Sequence, residues 1–390
     1  MRTLTPEQAL GCAARSHFLT APGHSIVAIA DRIVGLHNTS QVSPYLSMRA
    51  RIGQFERSNL EKVMWDRWEL VRFRSMRLAM FVFPVDLLEI AAAATRHIAE
   101  PFAARWLRDS GLTPDEFGHL SAAVLEALAD GPLTSRQLRK TLGAPQEIDI
   151  PGIVSRLCDV GKVVGGAPPG SWRSNVRRFH VSSDVLPDLD LTRWSEAAAI
   201  TELIHRYVGG YGPVTLSDMA WWSGLSKARC HQALETLGGS IREVAVDDWP
   251  GPLYVASDAD FVALRGFVKA LPLLDPYVQG YWDRERFLEA GLRNYVHDGG
   301  GNSSATIVVD GRIVGVWQPV TRPPAIRYHL FGPYPAGLRR DLEQELLGVS
   351  SIYFDQPVDL IEVSKMQPLT GPDGSRSAMH PLDGVLHRPG

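Results

Sequence analysis

Histidine, cysteine and lysine are the side chains most able to hold a metal or attack a substrate, and their spacing narrows the chemistry of this chain. The twelve histidines show no metal spacing such as His-Glu-x-x-His. Cys12, Cys158 and Cys230 share no motif spacing, so they fit neither a zinc site nor a disulfide framework, and a reducing cytoplasm is expected. No Walker-type loop and no Gly-x-Ser-x-Gly elbow occurs. No metal and no cofactor is therefore expected. What remains is arginine, and arginine binds phosphate.

The basic residues are unevenly distributed. Residues 45–77 hold Arg49, Arg51, Arg57, Lys62, Arg67, Arg72, Arg74 and Arg77 against Glu56, Glu61, Asp66 and Glu69, a net +4. Residues 162–180 hold Lys162, Arg173, Arg177 and Arg178 with no acid, again +4. Residues 195–250 carry seven acids against four bases, a net −3. Phosphate neutralisation supplies most DNA affinity, so the first two stretches are expected to face DNA and the third to be scaffold. Solvated surface charge is the alternative for each patch. Within the second, the glycine- and proline-rich segment 165–175 ends in Ser171-Trp172-Arg173-Ser174-Asn175. Such a tip can stack on a base or wedge into a groove, or its Trp can pack on its own hairpin. Both readings stand.

The elements that must position these groups announce themselves by repetition. Gly131-Pro132-Leu133-Thr134, with Leu138 and Gly143, recurs as Gly212-Pro213-Val214-Thr215, with Met219 and Gly224. In each copy a helix (122–129; 197–208) ends at the Gly-Pro. The Thr caps a second helix, a third follows (153–160; 228–237), and β-like residues come next (163–164; 241–246). That order is a winged helix-turn-helix. The first third fits the same plan, with helices at 6–18, 26–36 and 60–68 and strands at 71–74 and 78–83. After residue 270 come a strand at 305–309, an Asp310-Gly311 turn of the type I′ kind, strands at 312–318 and 326–331, and a helix at 338–347. The expected class is α+β: three tandem winged helix-turn-helix units, at 1–115, 116–190 and 191–270, then a β-rich region at 271–370 and a flexible tail at 371–390. The N-terminus lacks the apolar run of a signal peptide, and no stretch reaches ~18 apolar residues, so no membrane association is expected.

Several strings make the chain resemble the winged-helix DNA glycosylases of the AlkZ and YcaQ type. They are Leu271-Pro272-Leu273-Leu274-Asp275-Pro276-Tyr277, Gly280-Tyr281-Trp282-Asp283-Arg284-Glu285-Arg286, Val308-Val309-Asp310-Gly311-Arg312-Ile313-Val314-Gly315-Val316-Trp317, and the tip Gly170-Ser171-Trp172-Arg173-Ser174. The resemblance extends to about residue 349. It implies three winged helices and a β-rich part around a DNA channel, with Asp275, Pro276, Asp283 and Arg284 as family-motif positions. The family's catalytic signature is Gly-Leu followed by Gln-x-Gln or Gln-x-Asp. Here the matching string is Gly35-Leu36-His37-Asn38-Thr39, with Tyr45 and Arg51 in the stretch that follows. Where family members tend to carry Arg-Gly-Thr-Leu-His, this chain has Arg77-Leu78-Ala79-Met80-Phe81.

The resemblance implies His37, Asn38 and Thr39 as the catalytic trio; resemblance and charge distribution together mark Tyr45, Arg49, Arg51, Arg74, Arg77, Trp172, Arg173, Ser174, Asn175, Arg177 and Arg178 as expected DNA contacts. An N7-alkylated purine is cationic, so its glycosidic bond is already weakened and the enzyme must chiefly place a water at C1′. A neutral His37 would accept a water proton, with Thr39 orienting the water. The alternative is that His37 ends the helix at 26–36. A lyase needs an amine, and Lys62, the only lysine in the first unit, is expected on a surface helix, so a monofunctional reaction is favoured. Two functions follow. One is a monomeric glycosylase for bulky or crosslinked N7-alkylpurines in double-stranded DNA, serving self-resistance to a DNA-alkylating natural product. The other is a non-catalytic DNA binder, either a regulator or a protein that shelters adducts.

Overall fold

The structure, a computed structural model, describes residues 2–334, 336–371 and 380–382, and its class is α+β as expected. Both copies of the repeat have the element order read from sequence. In the first, helix Pro114–Ala129 precedes helix Ser135–Thr141, helix Ile150–Asp159 and the antiparallel pair Val163–Gly165 and Phe179–Val181. In the second, Glu196–Tyr211, Leu216–Ser223 and Lys227–Leu237 precede Ile241–Val246 and Leu253–Ala256. Thr134 and Thr215 are N-caps, and each closes a capping box with the side chain three residues on, Gln137 or Asp218. The matched glycines Gly143 and Gly224 both take positive φ, the left-handed turn that stops the helix.

The first third departs from expectation where it matters most. The helix expected at 26–36 is Ile26–Arg32. Val34 and Gly35, at φ 55° and 91°, then turn the chain into a short strand, Leu36–His37. This strand pairs antiparallel with Met80–Pro84, which also pairs with Leu70–Arg74, so the sheet order puts Met80–Pro84 in the centre. The helix expected at 60–68 is a short turn, Arg57–Glu61, running into a π-helical turn, Lys62–Asp66. Several elements were not anticipated. A 25-residue helix, Val85–Asp109, leaves this sheet. Strand Arg2–Leu4 pairs in parallel with Ile241–Val246, stitching the N-terminus to the second repeat. Strands Val268–Leu271 and Asp359–Glu362 complete a five-stranded C-terminal sheet with Thr306–Val309, Arg312–Thr321 and Pro324–Leu330.

Asp310 and Gly311 both have positive φ, as a type I′ turn requires. Helix Ala336–Phe354 covers that sheet, with Leu342, Leu346 and Val349 packed on Trp317, Ile326 and Tyr328. The tail expected to be flexible lies largely outside the described residues; within it, Leu382 is buried in the main core.

The parts are joined through buried polar groups rather than by apolar packing alone. The hydroxyl of Tyr211 donates to the carbonyl of Ile33 at 2.8 Å, that of Tyr207 to Gly280 at 2.7 Å, and that of Tyr277 to Gly311 at 2.9 Å. Arg51 and Asp275, both wholly buried, form a bidentate pair at 2.8 and 2.7 Å across the first sheet's helix Ser43–Arg51 and the C-terminal region. Burying two charges is tolerable only with geometry this complete.

Candidate active site

Gly35 begins the site. Its φ of 91° suits glycine, and a Cβ there would come within 2.5 Å of the Phe83 ring, so the turn demands this residue. Leu36 is wholly buried, and strand alternation then turns His37 to the other face. The imidazole packs at 5.0 Å from the Phe81 ring and lines a cleft of about 120 Å³ with Arg77, Trp221, Gln279 and Asn302. His37 is thus a strand residue, and it does not end the preceding helix. Burial, with Arg77 nearby, pushes its pKa down to about 4, so the ring is neutral at pH 7. The Thr39 N–H donates to His37 Nδ1 at 3.5 Å, a contact that favours the tautomer with its proton on Nε2.

The cleft around this ring is lined by aromatic side chains and by Arg77, with Arg284 close behind. Arg77 occupies a left-handed backbone position, φ 54°, in the turn between two strands, where an arginine stores strain. Its guanidinium lies 4.3 Å from the Trp221 ring, and that of Arg284 lies 4.5 Å from the same ring. Burial lowers the Arg284 pKa to about 9. Trp282, 53% exposed, stands 6.4 Å from Trp221. The loop Gly299-Gly300-Gly301-Asn302 closes one side: Gly301 O accepts from Gln279 at 2.9 Å and from Arg284 at 3.4 Å, and Asp298 accepts from Gly300 N and Asn302 N. Trp221 and Gln279 were not anticipated. The doublet Trp221-Trp222 was a visible signal, since adjacent helix residues cannot both face the core; Trp222 is buried and Trp221 half-buried.

The other motif residues separate. Asn38 is buried on the opposite face, where its Oδ1 accepts from Arg72 Nε at 2.7 Å; it does not share the cleft with His37. Thr39 is exposed. Pro276 lines the cleft, while Asp275 is committed to Arg51, Ser47 and the Tyr277 N–H. Asp283 accepts from Glu285 N.

Several of the expected DNA contacts are engaged within the molecule. Arg51 is buried on Asp275, and Arg49 is paired with Glu345. Tyr45 is 4% exposed and packs edge-on against Trp172 at 4.7 Å. Trp172 is held there by the Arg57 guanidinium at 4.9 Å, so it packs on the first third of the chain and is not a free wedge. Arg173 donates to the Tyr353 carbonyl. Arg57 and Arg67 are also in ion pairs, with Asp355 and Glu69. The net +4 of residues 45–77 is therefore largely neutralised within the molecule.

Arg74 pairs with Asp159 at 3.4 Å and donates to Ser155 at 2.8 Å. Arg177 is 6% exposed, its NH1 spent on the carbonyls of Ser174 and Val176. Ser174 Oγ accepts from Val176 N, and Asn175 and Arg178 are exposed. Among the described residues no group of histidines, cysteines and carboxylates could hold a metal, and no helix is long and apolar enough to cross a membrane.

This architecture has a solved counterpart. It matches the structure of the Streptomyces sahachiroi DNA glycosylase AlkZ with a TM-score of 0.74, covering 93% of this chain and all of that one at 20% identity, a likeness of fold. The profile of the AlkZ-like DNA glycosylases matches residues 30–350, and the chain belongs to that family. The interstrand DNA cross-link repair glycosylase of the same organism is 27% identical over 232 residues, which span 55% of this chain and 61% of that protein.

Proposed function

We propose that the protein is a monofunctional DNA glycosylase that removes bulky or crosslinked N7-alkylpurines from duplex DNA, and that its three helix-and-hairpin blocks act as winged helices. The observation that carries this reading is a neutral His37 presented by a strand to the cleft that Arg77 and Trp221 share. In the reaction a water oxygen bonds to C1′ while the C1′–N9 bond breaks, its electron pair neutralising the cationic purine. The proton then leaves to solvent, giving an abasic strand and free base. With its proton on Nε2, His37 holds the water through a donated hydrogen bond, and a group with a pKa of about 4 removes protons poorly at pH 7. Positioning, rather than proton abstraction, is its role.

Substrate size fits the open side of the cleft. The cleft is small, about 120 Å³, and in this reading the bulky alkyl group lies at its mouth while the sugar edge and a water enter. A protective role against a DNA-alkylating natural product is part of the same proposal. The second reading, a binder that shelters adducts, is favoured by the commitment of Asn38 to Arg72. Incubation with duplexes carrying defined N7 adducts, followed by detection of abasic sites, separates the two. Abasic sites without a borohydride-trapped protein adduct support the monofunctional glycosylase; tight adduct binding with no abasic sites supports the binder.

A further inference from the structure

Behind the motif strand lies a second cavity. It occupies about 410 Å³ between the edge strand Leu70–Arg74, the helix Ile150–Asp159 and the hairpin formed by Val163–Gly165 and Phe179–Val181. Four guanidinium groups line it, those of Arg72, Arg74, Arg136 and Arg177, against one carboxylate, Asp159. That carboxylate is already shared, because Arg156 pairs with it at 2.9 Å as well as Arg74 at 3.4 Å. Arg177 keeps a buried Nε with no hydrogen-bond partner among the described residues. Arg72 has only its Nε engaged by Asn38 among the bonds of its side chain. Arg136 and Asn175 are exposed and mark the mouth. Buried donors and an excess of positive charge are both costly unless an anion completes them.

We propose that this cavity is a phosphate pocket that seats one backbone phosphodiester of duplex DNA, on the face of the motif strand opposite the His37 cleft. A phosphodiester carries one negative charge and oxygens suited to forked guanidinium donors. The mouth opens between the start of helix Ser135–Thr141 and the hairpin tip, the two parts that winged-helix modules bring to a duplex backbone. Such a contact fixes register without reading sequence. Through Arg72 it also touches Asn38, next to His37 in the chain, so seating of the backbone and placement of the motif strand are linked. The proposal rests on the DNA glycosylase reading for its ligand, but its test needs no excision.

The test is the salt dependence of undamaged duplex binding by the full chain, with inorganic phosphate as a second probe. Arg136→Ala and, separately, Arg177→Ala should each lower the slope of log K against log salt by about 0.9, the loss of one phosphate contact. The double variant should lose no more than either single one, because one phosphate is shared. Arg136 is exposed, so its variant keeps the test valid if Arg177→Ala fails to fold. An unchanged slope for folded Arg136→Ala overturns the proposal. Inorganic phosphate binding that depends on Arg136, with the duplex slope unchanged, also overturns it in favour of a site for free phosphate. A reduced slope in a protein that excises nothing leaves the pocket standing and removes the glycosylase reading.

Discussion

His37 and Arg77 face each other across one cleft, and their proximity sets the protonation of the site. With a pKa of about 4, set first by burial and then by Arg77, the imidazole stays neutral throughout the physiological range. Excision should therefore show no inflection near pH 6.5, and any loss due to His37 should begin only as pH falls toward 4. An activity profile that rises with a midpoint near 6.5 would overturn this assignment. His37→Ala should lower excision by ~10²-fold or more while leaving adducted-duplex affinity within a few-fold. His37→Gln should retain most of the rate, because its amide also donates; a Gln variant as slow as Ala would mean that proton acceptance matters. Family likeness made His37 visible in the sequence. The separation of Asn38 from it was not visible, because a two-residue strand leaves no periodicity to read. The ion pairing of Arg49 and Arg51 was hidden for another reason: their partners, Glu345 and Asp275, lie more than 200 positions away.

The two repeats differ most in what their capping boxes do beyond the helix. In the first, Gln137 serves only Thr134, at 2.9 Å and in a part-buried setting. In the second, the wholly buried Asp218 accepts from Thr215, from Arg286 at 2.7 Å and from Trp282 N at 2.8 Å. One side chain thus starts a helix, neutralises a buried arginine and anchors the rim of the cleft. Gln137→Ala should cost about 1 kcal/mol, as loss of a cap does. Asp218→Ala should cost about 3–5 kcal/mol, because Arg286 is left buried and unpaired. Urea denaturation of the two variants measures the contrast, and equal midpoint shifts would refute it. The helices themselves were legible because Gly-Pro and Thr punctuation recurs at a constant offset of 81 positions, as from Thr134 to Thr215. Helix Val85–Asp109 was not, because its middle is a run of alanines and Pro101 interrupts its pattern.

At the scale of the whole molecule, buried histidines make stability depend on pH well above the carboxylate range. His17 is wholly enclosed, with neither ring nitrogen hydrogen-bonded and the rings of Tyr211 and Tyr277 at 4.6 and 5.5 Å. Burial holds its pKa well below 6.5, and Arg51 and Arg32 push it further down. His297 is likewise depressed by burial, with Arg284 and Arg293 adding to the effect. Together with His37, these rings are neutral in the folded chain and take up protons near pH 6.5 when unfolded. The unfolded state then binds more protons, so stability is complete above about pH 6.5 and declines as pH falls below it. Each histidine contributes a loss of up to about 1.4 kcal/mol per pH unit until its folded pKa is reached. The carboxylates held low by capping bonds, Glu7 and Glu116, add losses only below their ordinary value of 4.5, which separates the two effects. The urea midpoint should thus fall steeply between pH 7 and 5.5. His17→Phe, which keeps an aromatic ring between Tyr211 and Tyr277, should flatten that fall by at most about one third, since His97 and His180 are also lowered by burial. A midpoint that holds steady from pH 7 to 5.5 in the native sequence would show that these rings are not held neutral, and with them the neutral state of His37 would come into question.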